Sequence, residues 1–546
     1  MTSFAEAPKR LFHSVKTLVD MGHPDSVMKL ARAGAFDLRT PIAIAAGLPW
    51  LIGRGPSLGV MSRMHAASIG SRTAIVDRDG SFSWKEFDSR SDRAAHLLSS
   101  LGVHGGDTIA LVLRNGHEMA ELLMAAQKMG VSVCPVNTWA RQTELRDVFA
   151  SASPKAVFCD VSAIDDLPDG LINAPLLQVG GTKGRFAVYE AELEAQSPSM
   201  LSPFTTTPGS PRVIIHTSGT TGRPKGAARD ASAAGIRALS DILGVLPLRR
   251  DDRVFCPAPM FHSFGLAMFT FATALGATLL LPEAFKPRSS VAWIESERAT
   301  VAAFVPVMLR RIVADASSKG CDLSSLRMVI SSGSYLSPEL RGLVTDVFGE
   351  VLYDLYGSTE AGWVTIAGPD DMRTHPDAVG KLVRGVDVAV VSDTGSRLPA
   401  GQTGRIFVKS GVALEGYTTG ESMQESAGYI GIGDLGYIDE DDYVYIEGRS
   451  DDMVVVGGEN VYPIEVEQVI ESLSGVVEAS VIGIQDKEFG QVLAAAIEGD
   501  VDIDRLVAHC KASLASYKVP RRFVVAELPR NATGKVVKAQ VRGLFT

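Results

Sequence analysis

No stretch of this 546-residue chain reaches the roughly 18 consecutive apolar residues that a membrane-spanning helix needs. The nearest approach, Pro41 to Gly53, is interrupted by Gly47 and Pro49, so an integral membrane protein is not expected. The first residues also lack a charged segment followed by an apolar one, which argues against export. Cysteine is scarce: Cys134, Cys159, Cys256, Cys321 and Cys510 are scattered without Cys-x-x-Cys or Cys/His spacing. That pattern predicts neither a disulfide framework nor a zinc site and fits a reducing cytoplasm. A surplus of positive charge is missing as well. With 53 Lys and Arg against 63 Asp and Glu, the net charge is −10, which disfavours nucleic acid as a partner. Any polyanionic ligand must then be held by local donors. Low-complexity tracts and short-period repeats are absent too.

What the chain does have is 46% hydrophobic and 21% charged residues, the balance of a soluble globular protein. Its length predicts a large domain plus at least one smaller one. Residues 1–60 read as an N-terminal extension with helical patches, in which Trp50, Leu51 and Ile52 offer a peripheral contact with a membrane surface. From about residue 61 short apolar runs alternate with helices: Thr108 to Leu113 as strand, Glu118 to Met129 as a helix ended by Gly130, Val131 to Val136 as strand. The alternation recurs at Val254-Phe255, Phe264 to Leu275, Ala277 to Leu281, Val301 to Val305 and Met328 to Ser331. Strand, helix and parallel strand in series predict an α/β fold of doubly wound sheets. After about residue 380, short strands at Val386 to Val391, Arg405 to Lys409 and Tyr443 to Ile446 point to a small β-barrel-like subdomain. Residues 451–546 read as a small, mobile α+β C-terminal domain, leaving 61–450 as the large domain.

The segment His216 to Gly226 packs three glycines, four hydroxyls and one lysine into a single stretch after the apolar Arg212 to Ile215. Glycines let backbone N–H groups approach a polyphosphate, hydroxyls add donors, and Lys225 adds a point charge. It lacks the Gly-Lys-Ser/Thr spacing of the P-loop. The segment resembles the phosphate-binding motif of the adenylate-forming superfamily of acyl-CoA synthetases, adenylation domains and luciferases. Further motifs extend that resemblance over nearly the whole chain after about residue 60: Pro259 to Gly265, Ser332-Gly333-Ser334, Tyr356-Gly357-Ser358-Thr359-Glu360, Gly433-Asp434, Gly448 to Asp452, Val456 to Pro463 and Leu528 to Lys535.

The resemblance implies the following roles. Thr217, Ser218, Gly219, Thr220, Thr221, Gly222 and Lys225 would hold the ATP phosphates, with Thr217 and Glu360 as oxygen ligands of Mg²⁺. Tyr356 would stack on adenine, Asp354 would accept from its amino group, and Gly333, Ser334, Gly357, Ser358 and Thr359 would line the nucleotide. Tyr335 stands where many relatives carry Pro or Leu. Asp434 and Arg449 would bind the ribose. His262 would lie beside the substrate carboxylate, with Phe264, Gly265 and Gly333 toward the acyl group and Met268, Phe304 and Trp363 as further apolar candidates. No aspartate near His262 is present to pair with an α-amino group, so an uncharged acyl group is expected. Gly457, Gly458 and Glu459 would line a tunnel for the CoA arm, Asp451 would be the hinge, and Lys535 the catalytic lysine. The implied reaction is ATP-dependent activation of a carboxylic acid, most naturally a fatty acid, to acyl-AMP and then transfer to CoA. An aryl acid, a carrier-protein thiol as acceptor, a luciferase-like oxygenase and a non-enzymatic binder are the alternatives. The resemblance leaves room for a homodimer.

Overall fold

The computed structural model describes residues 41–54, 57–167, 174–183, 186–202, 211–218, 224–230, 241–317, 320–411, 425–426, 428–450, 452–456, 459–486, 490–531 and 534–545. The motif residues Gly219, Thr220, Thr221, Gly222, Asp451, Gly457 and Gly458 lie outside them.

Two sheets form the large domain. In the first, Leu176–Val179, Ala156–Asp160, Thr108–Val112, Ser132–Pro135 and Arg212–Ser218 are neighbours in parallel register, and Pro224–Asp230 closes one edge antiparallel. Thr108–Val112 and Ala156–Asp160 are buried almost throughout, as apolar strands covered on both faces must be. The helix that follows Thr108–Val112 runs His117–Met129 and stops where Gly130 takes a left-handed φ of 74°. The predicted loop from His216 to Gly226 is instead largely a hairpin, whose register pairs Thr217 with Lys225 and Ser218 with Pro224.

In the second sheet the parallel strands Arg253–Phe255, Val301–Phe304, Met328–Ser332 and Leu352–Ser358 lie side by side. Register aligns Phe255 with Ala302, Phe304 with Ser331, and Ser332 with Leu355. Consequently the segments that follow these strands, at Pro259 to Gly265, Val305 to Val307, Gly333 to Tyr335 and Thr359-Glu360, all leave from one carboxyl edge. Open α/β sheets bind ligands at that edge. The β-rich run after residue 380 does not stand apart from this sheet. Strands Val386–Val391, Gly404–Ser410, Tyr429–Ile438 and Tyr443–Arg449 continue it through Gly380–Leu382 and Gly362–Ala367, because antiparallel pairing to Leu352–Ser358 extends the ladder without a crossover.

The C-terminal part builds its own sheet from Val454–Val456, Glu459–Val461, Val476–Asp486, Gly490–Gly499 and Arg522–Val525, around a core that includes Val466, Ile470, Val481, Leu493 and Leu506. No helix among the described residues is long and apolar enough to cross a membrane. The helix Pro41–Arg54 turns Trp50 inward, where the ring is 2% exposed and lies under the Arg63 guanidinium. Ile42, Ile44 and Leu48 face outward instead.

Candidate active site

The second sheet brings the nucleoside candidates together. Tyr356 sits near the end of Leu352–Ser358, so it belongs to a strand rather than to the loop that its motif suggests. Its hydroxyl donates to Asp434 Oδ2 at 2.5 Å. Asp434 lies opposite Arg449 in the antiparallel register, and Arg449 Nη1 donates to Asp434 Oδ1 at 3.2 Å. One carboxylate is therefore oriented from both sides. Burial, and then the Asp434 charge, push the Tyr356 phenol well above its ordinary pKa, so it remains a donor at neutral pH.

Lys535 enters this group from the C-terminal domain. Its backbone N–H donates to Asn531 Oδ1 and its carbonyl accepts from the Asn531 N–H, both at 2.9 Å. Arg530 anchors the base of the turn through Glu478 at 2.8 Å and Glu498 at 2.7 Å. At the tip Gly534 has φ +82°, and a Cβ there would come within 2.4 Å of Val307 Cγ1 in the large domain. Only glycine permits that approach. The Lys535 side chain reaches solvent, yet the surrounding protein desolvates its ammonium, and with the nearby Arg449 charge this lowers its pKa against the opposing pull of Asp452 and Asp434.

Next along the carboxyl edge, His262 caps the helix Ser263–Leu275 in extended conformation. Its Nε2 is buried and has no hydrogen-bond partner, and burial lowers its pKa to about 4. A neutral imidazole with an unused nitrogen is suited to a ligand oxygen. The backbone leading to it is clamped by buried Asn115, which donates to the carbonyls of Cys256 at 3.3 Å and Ala258 at 3.0 Å and accepts from the Met260 N–H at 2.8 Å. Asn115 has no sequence signal beyond being a polar residue between a strand and a helix. Gly265 is explained by packing, since a Cβ would lie 2.3 Å from the Pro259 carbonyl oxygen.

The remaining candidates divide. Gly333 and Ser334 are exposed at the edge, with Gly333 at φ +98°. Glu360 and Thr359 are partly exposed in the turn after Ser358, and the Ser358 hydroxyl accepts from the Ala361 N–H at 3.1 Å. Gly357 lies in the strand at a register shift beside Trp363. Glu459 opens the strand Glu459–Val461. Thr217 and Lys225 face each other in backbone register. Asp354, by contrast, is 5% exposed and pairs with Arg341 Nη2 at 3.4 Å; burial raises its pKa to about 6 despite that partner. Phe264, Met268 and Phe304 belong to the main core, where Phe304 packs against Phe255 and Phe285. Trp363 stays partly exposed, 5.1 Å from the Phe271 ring.

A second cluster of potential ligands, Asp77, Asp79, His117 and Glu118, lies elsewhere. Burial works against a charged His117, but hydrogen bonds to Asp77 at 2.7 Å and Glu190 at 3.3 Å outweigh it and raise its pKa to about 10. A cationic imidazole makes this an internal ion-pair network.

Comparison with known proteins gives the family. The profile of the AMP-binding enzyme family matches residues 63–418, well over half of the chain. The chain belongs to the AMP-binding enzyme family. The C-terminal domain of AMP-binding enzymes matches residues 465–535 and ends on Lys535. Within the family the chain is of the adenylate-forming, acyl-CoA ligase type. It is 32% identical to an indoleacetate–CoA ligase of Aromatoleum aromaticum, over 88% of this chain and 96% of the relative. It is 29% identical to a long-chain-fatty-acid–CoA ligase of Mycobacterium tuberculosis, over 90% and 99%. Among AMP-binding enzymes of known structure, ATP-bound MatB from Rhodopseudomonas palustris superposes with a TM-score of 0.79 at 28% identity, covering 90% of this chain and 98% of that one.

Proposed function

We propose that this enzyme activates a hydrophobic carboxylic acid, fatty or aryl, with ATP and passes the acyl group to the thiol of CoA. The observation that carries the reading is the convergence of Lys535, Arg449, Asp434 and Tyr356 from two domains onto one sheet edge that also holds the unpartnered Nε2 of His262. The names of the relatives, one for an indole acid and one for long-chain acids, support an uncharged acyl group without choosing between ring and chain.

In the first half-reaction a carboxylate oxygen attacks the α-phosphorus, the bond to the β-phosphate oxygen breaks, and pyrophosphate leaves. Tyr356 stacks on the base, Gly333, Ser334, Gly357, Ser358 and Thr359 line the nucleotide, and Asp434 accepts the ribose hydroxyls while Arg449 and Tyr356 hold it in place. The pairing of Asp354 with Arg341 supports a role in orienting the strand beneath adenine more than a direct contact. Thr217, Ser218, Gly219, Thr220, Thr221, Gly222 and Lys225 grip the phosphates. His262 Nε2 orients the attacking carboxylate. Lys535 steadies the charge that develops on the α-phosphate. Thr217 and Glu360 would hold Mg²⁺, an oxygen-only donor pair suited to a hard cation, and the ion would offset repulsion between carboxylate and phosphate. In the second half-reaction the CoA thiolate attacks the acyl carbon, the bond to AMP breaks, and AMP leaves. A large domain, residues 61–450, and a C-terminal domain, residues 451–546, rotate about Asp451 between the two steps, and Gly457, Gly458 and Glu459 then line the path of the CoA arm.

The test is pyrophosphate release over a panel of acids from acetate to long-chain and aryl acids, with and without CoA. Release with a fatty or aryl acid, and acyl-CoA formation when CoA is added, are expected. An α-amino acid turning over faster than every acid of the panel overturns the reading.

A further inference from the structure

Delivery of Lys535 depends on how the C-terminal domain is held against the large one. The hairpin tip at Gly534 meets Val307, at the start of the helix Pro306–Ser317, and the Arg310 charge from that helix reaches Glu471. These contacts are steric or long-range. A directional bond accompanies them: Gln468 Nε2, on the helix Pro463–Glu471, donates to the Tyr335 hydroxyl at 2.8 Å. Tyr335 follows Gly333-Ser334 on the carboxyl edge and is partly buried, which raises its phenol to about 12 and keeps it neutral. A proline or leucine at this position could not accept such a bond.

We propose that Tyr335 and Gln468 form a latch that holds the C-terminal domain in the orientation presenting Lys535, and so sets the partition between adenylate formation and thioester formation. This rests on the acyl-activation reading above. Tyr335 acts as a positioning residue, through Lys535 rather than on substrate. If the orientations exchange faster than either chemical step, the rate of each half-reaction is proportional to the population that performs it. The ratio of the two rates then follows the orientational equilibrium, whichever orientation dominates.

Loss of one neutral hydrogen bond shifts such an equilibrium by about two- to tenfold. In Tyr335→Phe, and in Gln468→Met, the ratio of adenylation rate (ATP–pyrophosphate exchange) to thioester formation from supplied acyl-AMP and CoA should fall by that factor. Thioester formation should hold or rise while adenylation falls. The double variant should match the single variants, because the same bond is removed once. Thermal unfolding of each variant checks that the fold survives. Unchanged ratios, parallel loss of both rates, or a double variant whose effect multiplies the single ones overturns the latch. If the parent enzyme exchanges pyrophosphate and the ratios stay put, the latch alone fails. If the parent exchanges pyrophosphate with no acid, the acyl-activation reading fails and the latch with it.

Discussion

Replacing Lys535 by alanine separates the two half-reactions. The hairpin that carries it is built without help from the ammonium: Asn531 closes the turn through the Lys535 backbone, Arg530 ties the base to Glu478 and Glu498, and Gly534 seats the tip on Val307. Truncation should therefore leave the fold in place. What disappears is one donor within electrostatic reach of Arg449 and Asp434, in surroundings that lower its pKa by desolvation. Removing such a donor costs about 3 to 4 kcal/mol of barrier, or roughly 10²- to 10³-fold in rate. Adenylation, measured as ATP–pyrophosphate exchange, should fall by that order. Conversion of supplied acyl-AMP and CoA should stay near the parental rate, because in the proposed rotation the lysine leaves the site before the thiol arrives. Lys538 is the internal control. It lies three residues on but is spent on ion pairs with Asp452 at 2.9 Å and Glu467 at 3.6 Å, so Lys538→Ala should lower stability before it lowers adenylation. Equal loss of both half-reactions in Lys535→Ala, or intact adenylation, refutes the assignment.

Tyr356→Phe removes a hydrogen bond to a charged acceptor, worth about 1.5 to 3 kcal/mol, and should lower unfolding stability by that order and raise the KM for ATP; a denaturation midpoint equal to the parent's would contradict the contact with Asp434. His262 is neutral at pH 7 because burial holds its pKa near 4, below the 6.5 of a free imidazole. Between those values the unfolded chain binds more protons than the folded one, so stability should fall on acidification from pH 6.5 to 4, and less steeply in His262→Gln. Adenylation should show no inflection near pH 6.5 that depends on His262; an inflection there that vanishes in His262→Gln would mean that the ring is charged in the working enzyme.

Much of this protein was readable from local pattern. Apolar runs buried on both faces must be strands in a covered sheet, which is why Thr108–Val112 and Val301–Phe304 appear where the pattern puts them, and the left-handed Gly130 ends its helix as expected. Motif residues such as Lys535, Asp434 and His262 also stood out, because glycine and charge at fixed offsets are uncommon by chance. Local pattern is silent on partners distant in the chain. Sequence cannot say that Asp354 is matched by Arg341, that Asn115 clamps the backbone before His262, or that Gln468 meets Tyr335 across 133 positions. It also left Phe264, Met268 and Phe304 as pocket candidates, since an acyl pocket and a core select the same apolar side chains; the structure buries all three in the main core. The order of strands along one carboxyl edge is set by pairing between segments separated by whole helices, as Val254 with Val301, through hydrogen bonds and packing that no short window contains. The residue types were written in the sequence, whereas their meeting at one edge was decided by the tertiary structure.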